Sequence, residues 1–361
     1  MGKRPKDQNK IAQGWRIAIP LAITFVVVGV LFSEDFHPDA FSSFRFTWRT
    51  LLGITLAVLT FVAQNITMAM RYKMLSGGEL SLGGGLRVQQ MMEFTSAITP
   101  SSVGGSAVLF LFLSTEKIKA GKATAITFSA LFLDELLLFL LSLCVLIASS
   151  GIHFFGELPI LSSSLEVAFY GVTIMIGLWT ALLFVALFVR PDVPALFVKW
   201  VARRRLLRKY SARTSHIADE LYSASKEITN RSWGYWLKLF LLTLATWGFR
   251  FAIAIALLFG FAQSSLLFEL PETNLWVAYA KQVIIWMLSL IMPTPGGSGF
   301  AEYMFKNLYG SFFSSAQIAL VVAVVWRCLN AYIYFLSGGL LLSLRWHQIG
   351  LHEKGENNGE A

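Results

Sequence analysis

The sequence predicts an all-α polytopic membrane protein with about six full transmembrane helices plus two re-entrant helical hairpins in an inverted-repeat arrangement. Three observations lead there. The chain is 55% hydrophobic and only 14% charged, with a mean hydropathy of +0.61, which leaves too little polar surface for a soluble domain of this length. Two breaks of matching form, each built on Thr-Pro and glycine, interrupt apolar stretches. The charges in the loops then send those two stretches into the membrane from opposite sides.

Apolar runs of about 20 residues, the length that crosses a bilayer, fall at 15–33, 50–70, 123–149, 165–189, 236–260 and 316–344. The first follows Lys3, Arg4, Lys6 and Lys10. No small-residue cleavage site comes after it, only Ser33-Glu34-Asp35, so it reads as an uncleaved span with a cytoplasmic N-terminus. The loop at 34–49 sets Glu34, Asp35 and Asp39 against Arg45 and Arg49 and fits outside. Arg71, Lys73 and Arg87 precede the first broken stretch, 86–113, and Lys117, Lys119 and Lys122 follow it. Both flanks read as cytoplasmic, so this stretch enters and returns.

The loop at 150–164 has Glu157 and no Lys or Arg, and reads as outside. Segment 190–235 is the most basic in the chain, with Lys199, Arg203, Arg204, Arg205, Arg208, Lys209 and Arg213, and reads as cytoplasmic. Within it Ile217, Leu221, Ala224 and Ile228 recur at helical spacing, and Trp200, Leu206 and Leu207 lie among arginines. That pattern suits an amphipathic segment on the inner membrane surface, or a plain topology-setting loop. Glu269 and Glu272 place 261–274 outside, and Arg345 and Lys354 mark a cytoplasmic C-terminus. Parity then makes the second broken stretch, 275–313, enter and return from outside. Residues 1–349 form one integral domain on this reading, and 350–361 a disordered polar tail.

The breaks are Thr99-Pro100-Ser101-Ser102-Val103-Gly104-Gly105-Ser106 and Met292-Pro293-Thr294-Pro295-Gly296-Gly297-Ser298-Gly299, the latter followed by Phe300-Ala301-Glu302. In both, a glycine stands four residues after the proline of Thr-Pro, Pro100 to Gly104 and Pro295 to Gly299. Broken backbone at membrane depth survives only where protein buries it or a wet cavity solvates it. Paired breaks in two halves of a chain point to a transporter's binding site.

The return arms would begin at Ser101-Ser102 and Gly296-Gly297-Ser298, presenting helix N-termini that suit an anion. One terminus contributes about 0.3–1 kcal/mol, up to about 2 when partly buried. Taking an ionised phosphate out of water costs several kcal/mol, more than two termini supply. A cation, Arg250 or Arg327, is therefore expected beside the termini unless the cavity stays wet. The glycines Gly104, Gly105, Gly296, Gly297 and Gly299 are expected to allow close backbone approach and conformations closed to other residues; tight helix packing is the alternative.

Asp134, Glu135, Arg250 and Arg327 lie inside spans, and Glu93, Glu302 and Lys281 inside the broken stretches. A central charge costs about 2.5–3.5 kcal/mol on insertion scales, so such residues mark function or an internal lock. Asp134 and Arg327 are expected to face the bundle interior, where they can pair. Lys281, near the outer end, is expected to snorkel.

The net charge of +9 does not indicate nucleic acid, because the basic residues sit in loops between spans. Cys144 and Cys328 fall in apolar spans, against a disulfide or metal site. His37, His153, His216, His347 and His352 are scattered. Gly296-Gly297-Ser298-Gly299-Phe300 lacks the last glycine of a nucleophile elbow, and no Gly-rich loop with Lys-Ser/Thr is present for ATP. No enzyme activity, metal or cofactor is expected.

Pro293-Thr294-Pro295-Gly296-Gly297-Ser298-Gly299 with Ala301-Glu302 resembles the signature of the lysylphosphatidylglycerol synthase transmembrane (flippase-like domain) family. Thr99-Pro100 with Gly104-Gly105, then Lys119-Ala120-Gly121-Lys122-Ala123-Thr124-Ala125, is similar to that family's first-half motif, and the resemblance covers roughly 15–345. It implies a bacterial or archaeal inner-membrane domain that moves lipids. Because the chain ends soon after Arg345, it also implies a stand-alone member lacking the soluble synthase domain. Departures are Ser106 where many members carry an acidic residue, Leu109 for a usual arginine, and Asp134-Glu135 for an acidic–Arg pair. They bear on substrate more than on fold.

The leading expectation is therefore a lipid translocase for an anionic or modified phospholipid or a polyprenyl-linked lipid. An ion-coupled small-solute transporter, with Asp134 and Glu135 as proton sites, is the alternative. So is a non-transporting subunit that binds a lipid-modifying enzyme through 190–235.

Overall fold

In the computed structural model the described residues are 46–99, 104–148, 159–196, 211–262 and 274–342. The expected span at 15–33, the basic cluster at 199–209, the tail at 350–361 and Pro100, Ser101 and Ser102 of the first break lie outside them. Among the described residues five helices are long and apolar enough to cross a membrane: Trp48–Leu75, Ala120–Ala148, Ser163–Val189, Trp233–Phe261 and Ala316–Leu342. They coincide with the remaining five expected spans.

The first of these, α1 (Trp48–Leu75), starts where the Thr47 hydroxyl accepts from the Thr50 N–H. It lies antiparallel to α8 (Trp233–Phe261). At one end Gly53 meets Gly260 so closely that a Cβ on Gly53 would stand 2.5 Å from the Gly260 Cα. At the other end the Tyr235 hydroxyl donates to the Met74 carbonyl at 3.1 Å. Small residues let membrane helices approach this way, with dispersion replacing the absent hydrophobic drive. The outer face of α1 leaves Leu51, Leu59, Val62 and Met70 exposed, as a lipid-facing surface requires.

After α1 comes the first broken stretch: α2 (Leu82–Ile98), a break, then the short α3 (Gly104–Ala107) and α4 (Leu109–Thr115). It folds back on itself. Arg87 on the outgoing arm donates twice to Glu116 just past the returning arm, at 2.9 and 2.6 Å. Near the tip, the Gly105 N–H donates to Ser96 Oγ. The second broken stretch repeats the pattern with α9 (Leu275–Ser289) and α10 (Phe300–Tyr309). There Gln282 donates to the Tyr309 hydroxyl at 3.1 Å, and that hydroxyl donates to the Ala278 carbonyl. The residues that open and close each stretch are thus neighbours.

The two hairpins open toward opposite ends of the α1–α8 pair. The first leaves from Leu75, beside Tyr235. In the second, Trp286 stacks edge-on against Trp247 at 4.9 Å and Val283 shares a groove wall with Phe251, so α9 runs antiparallel to α8 and starts near Gly260. Their tips meet. The Gly296 N–H donates to the Thr99 carbonyl at 3.1 Å.

Around the hairpins stand α5 (Ala120–Ala148), α6 (Pro159–Phe184, continued by a wide π turn at Val185–Val189) and α11 (Ala316–Arg327, continued through a π turn at Cys328–Tyr332 to Leu342). Buried apolar residues form one cluster about α8, α9, α10 and α11 and a second about α2, α4 and α5. Polar groups sit where α2 of the first hairpin, α1 and the continuation of α11 come together: Gln90 donates to Asn65, Asn65 to the Tyr334 hydroxyl, and Gln89 to Glu93.

The amphipathic helix α7 (Ser211–Thr229) corrects an expectation. Leu221, Ala224 and Ile228 are buried, but in the protein's own second cluster and not in a lipid surface. A Cβ on Gly121 of α5 would stand 2.3 Å from Glu220 Cβ and 2.6 Å from the Leu221 nitrogen. The apolar stripe is spent on α5. Helical periodicity reports that a face is covered, not what covers it.

Candidate functional site

Gly296 sits at the centre of the site. Its N–H goes to the first break, through Thr99, and its carbonyl accepts from Arg327 Nη2 at 3.0 Å. Gly296, Gly297 and Gly299 have φ of +56°, +71° and +83°, a region closed to other residues at low cost. Gly104 and Gly105 play the other expected part. Both are helical, and a Cβ would stand 1.9 Å from Thr99 Oγ1 at Gly104 and 2.1 Å from the Met92 carbonyl oxygen at Gly105. The second break needs glycine for its conformation, the first for close approach.

Three carboxylate–guanidinium pairs gather around this junction. Arg250, from the middle of α8, donates to both oxygens of Glu93 on α2 at 2.6 and 3.0 Å. Its guanidinium also lies 4.5 Å from the Trp286 ring centre and 5.5 Å from that of Trp247. Arg327, at the point where α11 widens into its π turn, donates through Nε to Glu302 at 3.0 Å. Glu302 accepts as well from the Tyr332 hydroxyl at 2.7 Å and from the Gly299 N–H at 2.8 Å. Arg71 donates to both oxygens of Asp134, at 2.5 and 2.8 Å, and Trp247 Nε1 donates to Asp134 at 2.8 Å.

The expected pairing of Asp134 with Arg327 is therefore not the one formed. Each finds a nearer partner, Arg71 and Glu302. Arg71 itself, read in the sequence as a loop charge, is fully buried, because α1 continues to Leu75. Lys281 does not snorkel. It is buried, with Nζ 5.1 Å from the Phe312 ring centre and 5.9 Å from that of Tyr309.

Glu302 also changes the picture of the α10 N-terminus. The free N–H of Gly299 already holds an anion, and it is the chain's own carboxylate. Ser298 is buried, and its hydroxyl lies 3.5 Å from Arg327 Nη2, a long contact. The Thr294 hydroxyl is buried without a hydrogen-bond partner among the described residues, and Pro295 continues the break. Glu135, one residue past Asp134, turns away from this cluster, into a groove against Met175, Leu178 and Trp179 of α6.

A small cavity lies between the hairpins, lined among others by Glu93, Arg250, Gln282, Trp286, Arg327 and Asn330. At about 40 Å³ it has room for a few waters and not for a lipid head group. Arg250 Nε, Trp286 Nε1 and Asn330 Oδ1 are buried without a hydrogen-bond partner among the described residues. Unpaired buried polar atoms are costly and usually await water or a ligand. Gln282, Trp286, Trp247 and Asn330 escaped the sequence reading. Only the amides Gln282 and Asn330 carried a signal, each inside an apolar run.

Five long apolar helices, with two broken stretches that fold back and meet at a charge-paired junction, define a polytopic α-helical membrane protein. The match to the lysylphosphatidylglycerol synthase TM region spans residues 17–338, and the chain belongs to that family. A UPF0104 membrane protein of Archaeoglobus fulgidus is 24% identical over 340 residues, covering 89% of this chain and 94% of the relative. No solved structure matches significantly.

Proposed function

We propose that this protein is a lipid translocase, flippase-like and not an enzyme, that moves an anionic or modified phospholipid or a polyprenyl-linked lipid between leaflets of the cytoplasmic membrane. The observation that carries the reading is the junction of the two hairpin tips, where Arg250 and Arg327 face one cavity across the broken backbone. Both hairpins are re-entrant in this proposal, one from each face, with both termini cytoplasmic. Neither α9 at 15 residues nor α10 at 10 is long enough to cross about 30 Å of hydrocarbon at 1.5 Å per residue.

The charges suggest how a head group is handled. Both guanidinium groups that line the cavity already face a carboxylate, Arg250 that of Glu93 and Arg327 that of Glu302. An arriving phosphate competes with Glu93 for Arg250, or with Glu302 for Arg327. Exchange of one anion for another keeps the arginine paired, and the displaced carboxylate must take up a proton or meet water so as not to remain an uncompensated buried charge. The cavity must widen for this, and the hairpins, joined at their tips by the backbone hydrogen bond from Gly296 to Thr99, are the elements that part.

The cavity's present size favours one competing reading, a small-solute or ion transporter. Reconstitution into vesicles separates the two. Labelled phospholipid that becomes accessible to a membrane-impermeant quencher only in protein-containing vesicles supports translocation. Solute uptake without lipid movement would replace the proposal with the transporter reading. The α7 apolar stripe, already covered by α5, offers no support for docking a partner enzyme through that face.

A further inference from the structure

A second cavity lies outside the charged junction, in the side of the molecule between α5, α8 and α9. Its floor is Phe251, Ala280 and Val283, all buried, and its rim is Leu141, Trp276 and Tyr279. It holds about 460 Å³. Among the described residues no charged side chain lines it, and Leu275 and Trp276 at its edge are exposed on the bilayer side. Such a groove gives water few hydrogen bonds and gives a hydrocarbon chain apolar contact along its length.

Phe251 lines this groove and the polar cavity at once. Its side chain, packed at 5.6 Å on Trp247, is the wall they share. On the polar side, Arg250 Nε and Trp286 Nε1 are buried N–H donors lacking an acceptor among the described residues. Donors without acceptors call for an anion or a polar oxygen. An apolar trough open to the bilayer and an acceptor-seeking polar pocket are therefore separated by one aromatic side chain. That is the shape of an amphiphile.

We propose that the groove between α5, α8 and α9 holds one hydrocarbon chain of a membrane lipid whose phosphate-bearing head group binds at Arg250 and Trp286. Phe251 swings aside to connect the two. The lipid therefore reaches the junction sideways from the bilayer and keeps its chain in an apolar track while its head group is inside the protein. The inference rests on the lipid-translocase reading and adds to it a lateral portal and a chain site.

The test uses the full chain in liposomes containing a phospholipid with a photoreactive diazirine midway along one acyl chain, and adducts are located by peptide mass spectrometry. Adducts are expected to concentrate on Leu141, Trp276 and Tyr279. Leu141→Trp, at the half-buried rim, fills the groove without entering the core and should lower that labelling by about fivefold. Leu59→Trp, on the exposed face of α1, should leave it unchanged. Even labelling of Leu59, Leu178 and Leu336 at the level of the groove, or no effect of Leu141→Trp, would mean only boundary lipid and would overturn the site. Groove labelling without translocation would leave the chain site standing and remove the translocase reading. Translocation with labelling elsewhere would do the reverse.

Discussion

Replacing Glu93 with glutamine keeps its shape and one acceptor oxygen but leaves the Arg250 charge uncompensated inside the bundle. Arg250 is 6% exposed and Glu93 5%, so neither charge is rescued by solvent. Removing one partner of a buried ion pair costs about 3–5 kcal/mol. Because the glutamine amide would still accept one bond from Arg250, and cation–π contact with Trp286 and Trp247 remains, the lower end of that range applies to Glu93→Gln. Arg250→Gln strands the Glu93 carboxylate and should cost about as much, although Gln89 still donates to it at 3.0 Å. The double variant carries no unpaired charge, so its loss should fall at least about 2 kcal/mol short of the sum of the two singles. Unfolding midpoints in mixed micelles, converted to free energies, give the cycle. Strict additivity would refute the argument that each charge exists for the other. The cycle also separates structure from function. The double variant should recover most of the stability of wild type yet translocate lipid poorly, since the guanidinium that receives the head group is gone. Wild-type translocation by that variant would remove Arg250 from the site.

The two kinds of glycine make different predictions. Gly105→Ala drives a Cβ onto the Met92 carbonyl and should cost about 3 kcal/mol, and Gly297→Ala about 1–2 kcal/mol from its left-handed backbone. Gly248→Ala, with nothing within 4 Å, should be neutral or stabilise by up to about 1 kcal/mol; thermal unfolding ranks the three. Ser298→Ala removes only a 3.5 Å contact to Arg327 and should change stability by less than about 1 kcal/mol while slowing vesicle lipid translocation; unaltered translocation would dismiss the Ser298 hydroxyl from head-group binding. Single cysteines at Asn274 and Gly310 should label with an impermeant reagent from one face, and one at Glu79 from the other. Opposite-face labelling of Asn274 and Gly310 would mean that the second stretch crosses the membrane.

Much of this architecture is legible in the sequence because the bilayer simplifies the problem. Hydrocarbon is spanned only by long apolar helices or closed barrels, so the spans at 50–70, 123–149, 165–189, 236–260 and 316–344 could be read by counting. Proline and glycine inside such a run cannot be ignored, so both breaks were visible as well. Their spacing and the loop charges were enough to expect two hairpins, one from each face of the membrane. What the sequence could not assign is partnership. Asp134, Glu93, Glu302, Arg250 and Arg327 all announced themselves by the cost of their burial, yet an ion pair forms over a few ångströms, and one turn of helix decides which arginine a carboxylate meets. Arg71 shows the limit most plainly. Near the end of an apolar run it is indistinguishable from a loop charge until Asp134 and Thr243, 63 and 172 positions away, are seen beside it. The stripe of α7 is a second case, since lipid and protein both satisfy an apolar face, and only the packing of Gly121 against Leu221 tells them apart. Local composition determined where the helices, breaks and charges are. Which groups those charges meet was decided by contacts between segments far apart in the chain, whose geometry no local pattern encodes.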